Sequence, residues 1–568
     1  MLPTFLQLRQ PFERVWRVLL FAGLVGDFGL AGFLCLAQPR QSSITAPPFP
    51  IAFRPGESAT LSSEKSGSSP SLWRSFPSHW VWQEDASVKP SVRRGVLTPD
   101  ATLPAGAVHA IRWSDDTGAA PIRLVYLDDL PTRPWDSSAS PPVLTWPCAV
   151  DGVARDGSSL VFALDVRKGE EVSIEIIARR LGSEMDPWLR VEDAQGKVLL
   201  DVDDVPSWEA DAGGTLKAPR TGRYFIHVRD ASFGGGPSFF FRMRVGRFPL
   251  VTALYPPAAF AAAGHDYEVW AVGDVPVKAV QVVQKELPGL GSASFSALEI
   301  VDRSGRALLS IPRIDAAPIL EHEPNEHPPQ VVNWKATRWL AGRLRKPGDV
   351  DRFAFRAAAG EKWRFKSRTR SVGSPCDLFM SLEAGPGQKA PQAAHASRDE
   401  ASLTHTFASE TEAVLRVEEL TRRGSPSFLY LIEAELLDSS VSLELGTNTY
   451  GLKAGEEIAI KIKLVREGFA GPVSLLFEPP MEGVEGQSLT IPGTSNEGVF
   501  KLRPRSEPKG ERLTVARVKG VLDGTSRTTY ASTLPALRER FPLMRHPPPM
   551  LDGWVFFSRN STVKAKSE

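Results

Sequence analysis

From Trp73 onward the chain is written in short runs in which apolar and polar residues alternate. Val172, Ile174 and Ile176 are interleaved with Ser173 and Glu175. Tyr224, Ile226 and Val228 are interleaved with Phe225, His227 and Arg229, and Ile460, Ile462 and Leu464 with Lys461 and Lys463. Side chains on a strand point alternately to opposite faces, so this period-two pattern fits a half-buried sheet and conflicts with a helix. Gly, Pro or Asp breaks the runs about every ten residues, the spacing of turns in a β-sandwich. The N-terminal apolar run aside, the chain shows no sustained helical period. The fold class is therefore read as all-β, as tandem β-sandwiches. A chain of 568 residues is far longer than a single core serves, and roughly four domains of about 100–150 residues are expected.

Arg9, Arg14 and Arg17 precede an apolar run from Val18 to Leu36. This is the layout of an export signal over residues 1–37, with cleavage before Gln38, or of a retained membrane anchor, because the run is almost long enough to span a bilayer. Nothing later matches it in length, so the remainder is placed outside the cytoplasm: periplasmic, at the cell surface or extracellular. Residues 38–70 are rich in Pro and Ser and read as a linker. The charge balance, 67 Lys and Arg against 66 Asp and Glu, excludes a polybasic nucleic-acid or membrane-binding surface as the chain's dominant character. The membrane is a partner only through an uncleaved N-terminus. Cys35, Cys148 and Cys376 are the three cysteines, too few for a disulfide framework.

A long internal repeat runs through the β pattern. "RKGEEVSIEIIARRLGSEMDPWLRVED" from Arg167 matches "AAGEKWRFKSRTRSVGSPCDLFMSLEA" from Ala358; Gly169, Gly182, Ser183 and Asp186 recur 191 residues later as Gly360, Gly373, Ser374 and Asp377. "GGGPSFFFRMRV" likewise matches "RRGSPSFLYLIEA". Copies of this size are two domains and not turns of a solenoid. The order "EPN", "GDVDRFAF", "AGE", "GSPCD" and "GSPSFLYLIEA" resembles the bacterial pre-peptidase C-terminal domain. The resemblance implies a jelly-roll-like β-sandwich, found beside secreted peptidases and related to the collagen-binding modules of clostridial collagenases. It covers residues 141–247 and, with the fuller motif, 317–437. The segments 71–140 (partial), 248–316 and 438–531 look like immunoglobulin-like β domains, which accompany such modules in proteins exported by planctomycete-type bacteria. Residues 532–568, basic and Pro-containing, read as a partly ordered C-terminal tail.

The acidic residues of the second copy carry the chemistry. In "EHEPNE", Glu321, Glu323 and Asn325 sit on alternate positions, and on an extended segment they face the same way; Pro324 biases Glu323 toward extended geometry. Asp349 and Asp351 are again two apart, in "GDVDRFAF". Like charges so placed repel unless a cation lies between them. Hard carboxylate and amide oxygens suit Ca²⁺, which accepts six to eight oxygens in irregular geometry, and the absence of a His–Cys cluster argues against zinc. The bland reading of the same residues is a solvated acidic linker followed by an Asp-favoured turn. The family resemblance implies the first: calcium between the linker and the opening strands, structural and not catalytic, tying the linker to the sandwich. Counted from Pro131 as the counterpart of Pro318, the first copy has Pro134, Asp136 and Ser138 in place of Glu321, Glu323 and Asn325. It has Ser158 and Leu160 in place of Asp349 and Asp351, so calcium is expected in the second copy only, unless Asp151 or Asp156 substitutes.

No catalytic signature emerges. There is no H-E-x-x-H motif or nucleophile elbow, and neither Cys148 nor Cys376 has a His neighbour in sequence. Trp80, Trp82, Trp188 and Trp208 are read as core residues. The chain is thus expected to be a non-catalytic exported protein of the cell envelope or its surroundings, recognising a protein or polysaccharide. The alternative is an accessory or substrate-targeting subunit of a secreted peptidase system.

Overall fold

A computed structural model describes residues 49–560, except 65–71, 77–79, 85–91, 104, 116–117, 136–140, 261–265, 278–280, 286–294, 303–304, 384–390, 395–399, 438–439 and 506–512. The segment read as an export signal lies outside the described residues, as do Asp136 and Ser138. The fold is all-β and built from many separate sheets; among the described residues the single α-helix is Leu534–Arg540. Alternation translates directly into burial in the strand Ile458–Glu467, where Ile460, Ile462 and Leu464 are buried and Lys461 and Lys463 exposed. In the strand Glu171–Ile177 the polar face is buried as well. Ser173 Oγ donates to Phe248 O at 2.7 Å, and Glu175 accepts from Arg244 at 2.6 Å, because a neighbouring segment covers the second face.

The two copies of the repeat form the same pair of sheets. In the first copy one sheet runs Cys148–Val153, Phe240–Gly246, Glu171–Ile177, Gly213–Lys217, and its partner runs Val198–Val202, Pro187–Asp193, Gly222–Asp230, Leu160–Val166, Val143–Leu144. The second copy repeats this order. Ile319–Leu320, Trp339–Arg343, Leu429–Leu436, Lys362–Arg368 and Ser402–Thr406 make one sheet; Gln330–Val331, Val350–Ala357, Thr411–Glu419, Leu378–Glu383 and Gln392–Ala394 make the other. The repeated glycines are explained by backbone conformation. Gly182 and Gly373 each close a 3₁₀ turn in the left-handed region, at φ 79° and 76°, where a side chain would be strained.

Each copy docks the sheet face of its last strand onto the sandwich before it, by different chemistry. In the first copy Arg242, fully buried, pairs with Asp128 (2.7 Å) and Asp151 (2.6 Å). Leu431 occupies the matching register position in the second copy, and with Leu429 it packs on Tyr255 and Trp270.

The ends of the chain depart from the sequence expectation. The linker read over 38–70 contains strands: Ala52–Phe53 lies parallel to Arg123–Leu127, and Ala59–Glu64 pairs antiparallel with Val92–Thr98. Ile51, Phe53 and Leu61 are buried; the apolar runs were short enough to be hidden by the surrounding Pro and Ser. The segment read as a tail supplies Trp554–Asn560, which lies between Thr449–Lys453 and Leu513–Leu522 inside the last sandwich. Nor do the sandwiches form an open row. Leu537, Phe541 and Phe556 share a core with Ile51, Leu124, Ile177 and Phe240. The Arg540 guanidinium donates to Ile122 O, and Arg545 N–H to Glu209 at 2.6 Å.

Leu537 is fully buried in that shared core, so Leu537→Ala should destabilise the protein by about 2–4 kcal/mol in urea unfolding; a change below about 0.5 kcal/mol would show that the helix does not clamp the ends together. His109 is buried with neither ring nitrogen hydrogen-bonded, and burial lowers its pKa to about 4. Its neutral form is the folded one. The stability it preserves is complete above the unfolded pKa and is lost as pH falls from about 6.5 toward 4, amounting to about 2 kcal/mol at pH 5. His109→Leu should therefore lose less stability than the parent between pH 7 and pH 5 in the same unfolding assay; equal losses would contradict the assignment.

Candidate metal centre

The acidic residues meet at the opening of the second copy. After the short strand Ile319–Leu320 the chain leaves extended geometry and bends over residues 323–328. The expectation that Glu321, Glu323 and Asn325 align by strand alternation is therefore not how they are placed. Bends bring the carboxylates together instead. One ligand oxygen each from Glu321, Glu323 and Asp351 lies within 4.8 Å of the others, with Glu321 and Asp351 buried and Glu323 exposed. Asn325 is fully buried beside Asp351. Among the described residues no other such group of acidic, His or Cys side chains occurs; His322 and His327 are exposed and outside it.

Asp351 opens the strand Val350–Ala357 and is fixed from behind by Tyr430, whose hydroxyl donates to Asp351 Oδ2 at 2.5 Å. Tyr430 passes over Gly342, where any Cβ would fall 2.1 Å from the phenol ring; glycine is required there by the close approach. Glu321 Oε2 accepts the backbone N–H of Arg343 at 2.8 Å. Asp349 is buried but directed elsewhere: its Oδ2 accepts Arg345 N–H at 2.6 Å, closing the turn before the strand. It is not among the converging oxygens.

Several polar atoms in this small space are poorly partnered. Asp351 Oδ1 and the side-chain heteroatoms of Asn325 are buried with only one another for company and no well-formed hydrogen bond, and Glu321 Oε1 has no partner but the Arg345 guanidinium. Such groups cost roughly 1–3 kcal/mol each unless something satisfies them. Burial raises the pKa of Glu321 well above the usual carboxylate range. Burial raises that of Asp351 too, and the charge of Glu321 adds to it. The nearest cation is Arg345, whose half-exposed guanidinium lies 3.4 Å from Glu321 Oε1. Three carboxylate oxygens and an amide oxygen, without nitrogen or sulfur ligands, make a donor set that fits a hard divalent cation.

The site backs onto the joint with the preceding sandwich. The Arg343 guanidinium stands 4.7 Å from the ring centres of both Tyr255 and Trp270 and pairs with Glu268 at 2.9 Å. Tyr255 Oη donates to Ala341 O. The backbone that holds Glu321 therefore also carries the residues that clasp the neighbouring domain.

In the first copy apolar residues stand in these places. Leu160 holds the register position of Asp351, and Phe241 that of Tyr430; both belong to the core. Trp135, beside exposed Pro134, packs on that core and donates Nε1–H to Asp151 O. Asp151 is engaged by Arg242, whereas Ser158 and Asp156 are exposed. The roles of Tyr430 and Arg343 were not evident from the sequence. The Phe241-to-Tyr430 difference between matched strands was the available signal for the first. Trp80 and Trp208, read as core residues, are buried, and Trp82 packs partly buried against the core that holds Trp80; Trp188 departs from that reading, being only partly buried with Arg229 over its ring at 4.1 Å. Cys148 and Cys376 are buried, unpaired thiols.

No protein-family model and no curated protein sequence matches the chain. Among solved structures it is similar to the N-terminal four immunoglobulin domains of Dscam1 isoform 4.4, at 10% identity over 91% of this chain and 98% of the other, with a TM-score of 0.16. It is also similar to the endo-fucoidan hydrolase MfFcnA4 of glycoside hydrolase family 107, at 11% identity over 48% of this chain and 43% of the other, with a TM-score of 0.12. Tripeptidyl peptidase 2 aligns at 9% identity over 91% of this chain and 40% of the other, with a TM-score of 0.13. At these TM-scores the likenesses carry no functional argument.

With no cation supplied, the buried Asp351 charge is a liability. In chelator at pH 8, Asp351→Asn should raise the thermal midpoint by about 2 °C. A lowered midpoint would mean that Asp351 is held by the surrounding protein groups alone.

Proposed function

We propose that the chain is a non-catalytic, exported binding protein of the cell envelope or its surroundings, in which the second repeat is a calcium-stabilised sandwich of the pre-peptidase C-terminal type. The observation that carries this reading is the convergence of Glu321, Glu323 and Asp351, with buried Asn325, against the joint to the preceding domain. These four side chains would hold the ion. When bound, calcium supplies the positive charge that lets the buried carboxylates stay ionised together. The chain's own part is to orient the donors: Arg343 N–H fixes Glu321, Tyr430 fixes Asp351, and the same Arg343 side chain grips Tyr255, Trp270 and Glu268. Loss of the ion would loosen the linker 321–328 and with it the angle between the two sandwiches.

Absence of turnover belongs to this proposal. One oxygen each of Glu321 and Asp351 is tied, by Arg343 N–H and by Tyr430 Oη, and the other is left to the cluster, an arrangement suited to holding a cation. Export is proposed from Arg9, Arg14 and Arg17 ahead of the apolar run Val18–Leu36; among the described residues no helix is long and apolar enough to cross a membrane. Recognition would fall to the loops and joints of a fixed sandwich array.

Calcium at a hundredfold excess over its dissociation constant should stabilise the folded form by about 2.7 kcal/mol, seen as a rise of several degrees in the thermal midpoint over a chelator-treated sample. Glu323→Gln combined with Asp351→Asn should remove the rise. An unmutated protein whose midpoint is the same with calcium and with chelator would refute the site.

A further inference from the structure

The first β domain, the first repeat copy and the domain at 248–316 together wall a space of about 510 Å³. Small-molecule sites run from about 300 to 1,000 Å³. The third domain contributes the strand Gly305–Pro312, on which Arg306, Leu308 and Ser310 fall on one face by alternation and all line the space. The strand comes close at Gly106, where an added Cβ would stand 2.9 Å from that of Leu308. Leu103, Leu308 and Met550, all buried, make an apolar side.

The polar side comes mainly from the first copy, and its charges are paired. Glu175 accepts from Arg244 at 2.6 Å and from Arg180 at 3.0 Å. Arg180 also pairs with Asp211 at 2.7 Å, and Arg244 with Asp128 at 3.1 Å. At the more exposed end Arg306 pairs with Glu299 at 3.3 Å, and Asp129 meets Arg244 at 3.4 Å. None of these three guanidinium groups is left over. One buried hydroxyl is. Tyr126 is 5% exposed, lines the same space and has Arg244, Glu175, Asp128 and Arg180 as charged neighbours; among the described residues its hydroxyl has no hydrogen-bond partner. Arg180, for its part, donates through Nε and Nη2 and leaves Nη1 unused. We propose that this space binds a neutral sugar, the end or a short stretch of an uncharged glycan; this rests on the binding-protein reading above and names its ligand class.

A sugar hydroxyl both donates and accepts, so it can join a carboxylate–guanidinium pair without breaking it. Each carboxylate oxygen has a further lone pair, and Arg180 has its unused N–H groups. The Tyr126 hydroxyl gains the partner it lacks, and a buried polar group without one is costly. The C–H face of a sugar ring lies against Leu103, Leu308 and Met550, which gives it an apolar surface to leave water for. Charged ligands fit less well. An anion would have to displace Glu175 or Glu299 from its guanidinium, and a cation would find only Asp129, half-exposed, loosely held. A wholly apolar ligand would dehydrate the ion pairs and the Tyr126 hydroxyl and offer them nothing in return.

The test presents the full chain, with calcium, to an array of immobilised neutral, uronic-acid and amino-sugar glycans, and titrates a retained glycan in solution. Retention of at least one neutral glycan is expected, with little loss in high salt, which screens ionic attraction only. Tyr126→Phe should weaken binding about fivefold at an unchanged thermal midpoint, because the hydroxyl it removes has no partner in the free protein. Ser310→Trp, at an exposed position on the wall, should fill the space and weaken binding more than about tenfold. Retention of no neutral glycan, a preference for the charged ones, or undiminished binding by either variant would overturn the proposal. Calcium-dependent stability measured on the same samples separates the outcomes: if it persists while the neutral glycans fail, the ligand class is wrong and the calcium reading stands.

Discussion

Carboxylates that are buried within 4.8 Å of one another cannot all keep their charge unaided. Glu321 and Asp351 are both taken out of water, and with Glu323 they bring three acidic groups to one point. Desolvation costs several kcal/mol per ion, and mutual repulsion is strong where water is excluded. Protons, the half-exposed Arg345 guanidinium or a metal ion must supply the compensation. A metal fits best because Asp351 Oδ1 and the buried Asn325 amide have only one another once Tyr430 is placed, and Glu321 Oε1 has only the half-exposed Arg345. The position of the site matters as much as its charge: Arg343 links the carboxylate of Glu321, through its backbone, to an aromatic clasp on the adjacent sandwich, through its side chain.

The two copies show how one backbone can be joined to its surroundings in two ways. At the position where the second copy has Asp351 over Tyr430, the first has Leu160 over Phe241, and packing stands in for charge. On the docking face the exchange runs the other way. The first copy buries Arg242 and Arg244 among Asp128, Asp151 and Glu175, whereas the second presents Leu429 and Leu431 to its neighbour. Buried ion networks add little net stability compared with apolar packing, but breaking one of their members is costly. At one register position the first copy thus uses the Arg242 ion network where the second uses Leu431, and the second adds the Arg343–Glu268 pair at the same joint.

Much of this could be read from sequence where side-chain period and backbone need coincide. Alternation in 458–467 gave its burial, and the recurrence of Gly182 at Gly373 marked a turn that only glycine closes without strain. The convergence of Glu321, Glu323 and Asp351 was legible as a set of like charges requiring an explanation, although the bends that assemble it were not. Asp349 could not be separated from Asp351 by spacing, because the difference lies in which backbone N–H each carboxylate meets. Contacts between distant segments were invisible: the short strand Ala52–Phe53 and the strand Trp554–Asn560 acquire their places from partners far along the chain. The burial of Ser173 and Glu175 was hidden for the same reason, since local alternation does not report what covers the second face of a sheet.

The most direct test is a count of ions. Protein stripped with chelator, dialysed against micromolar to millimolar calcium and analysed by atomic emission should retain one calcium per chain, while the Glu323→Gln, Asp351→Asn double variant retains none. A parent protein that holds no calcium above the dialysis buffer at any of these concentrations would contradict the account, and would leave Arg345 and bound protons as the groups that balance the buried carboxylates.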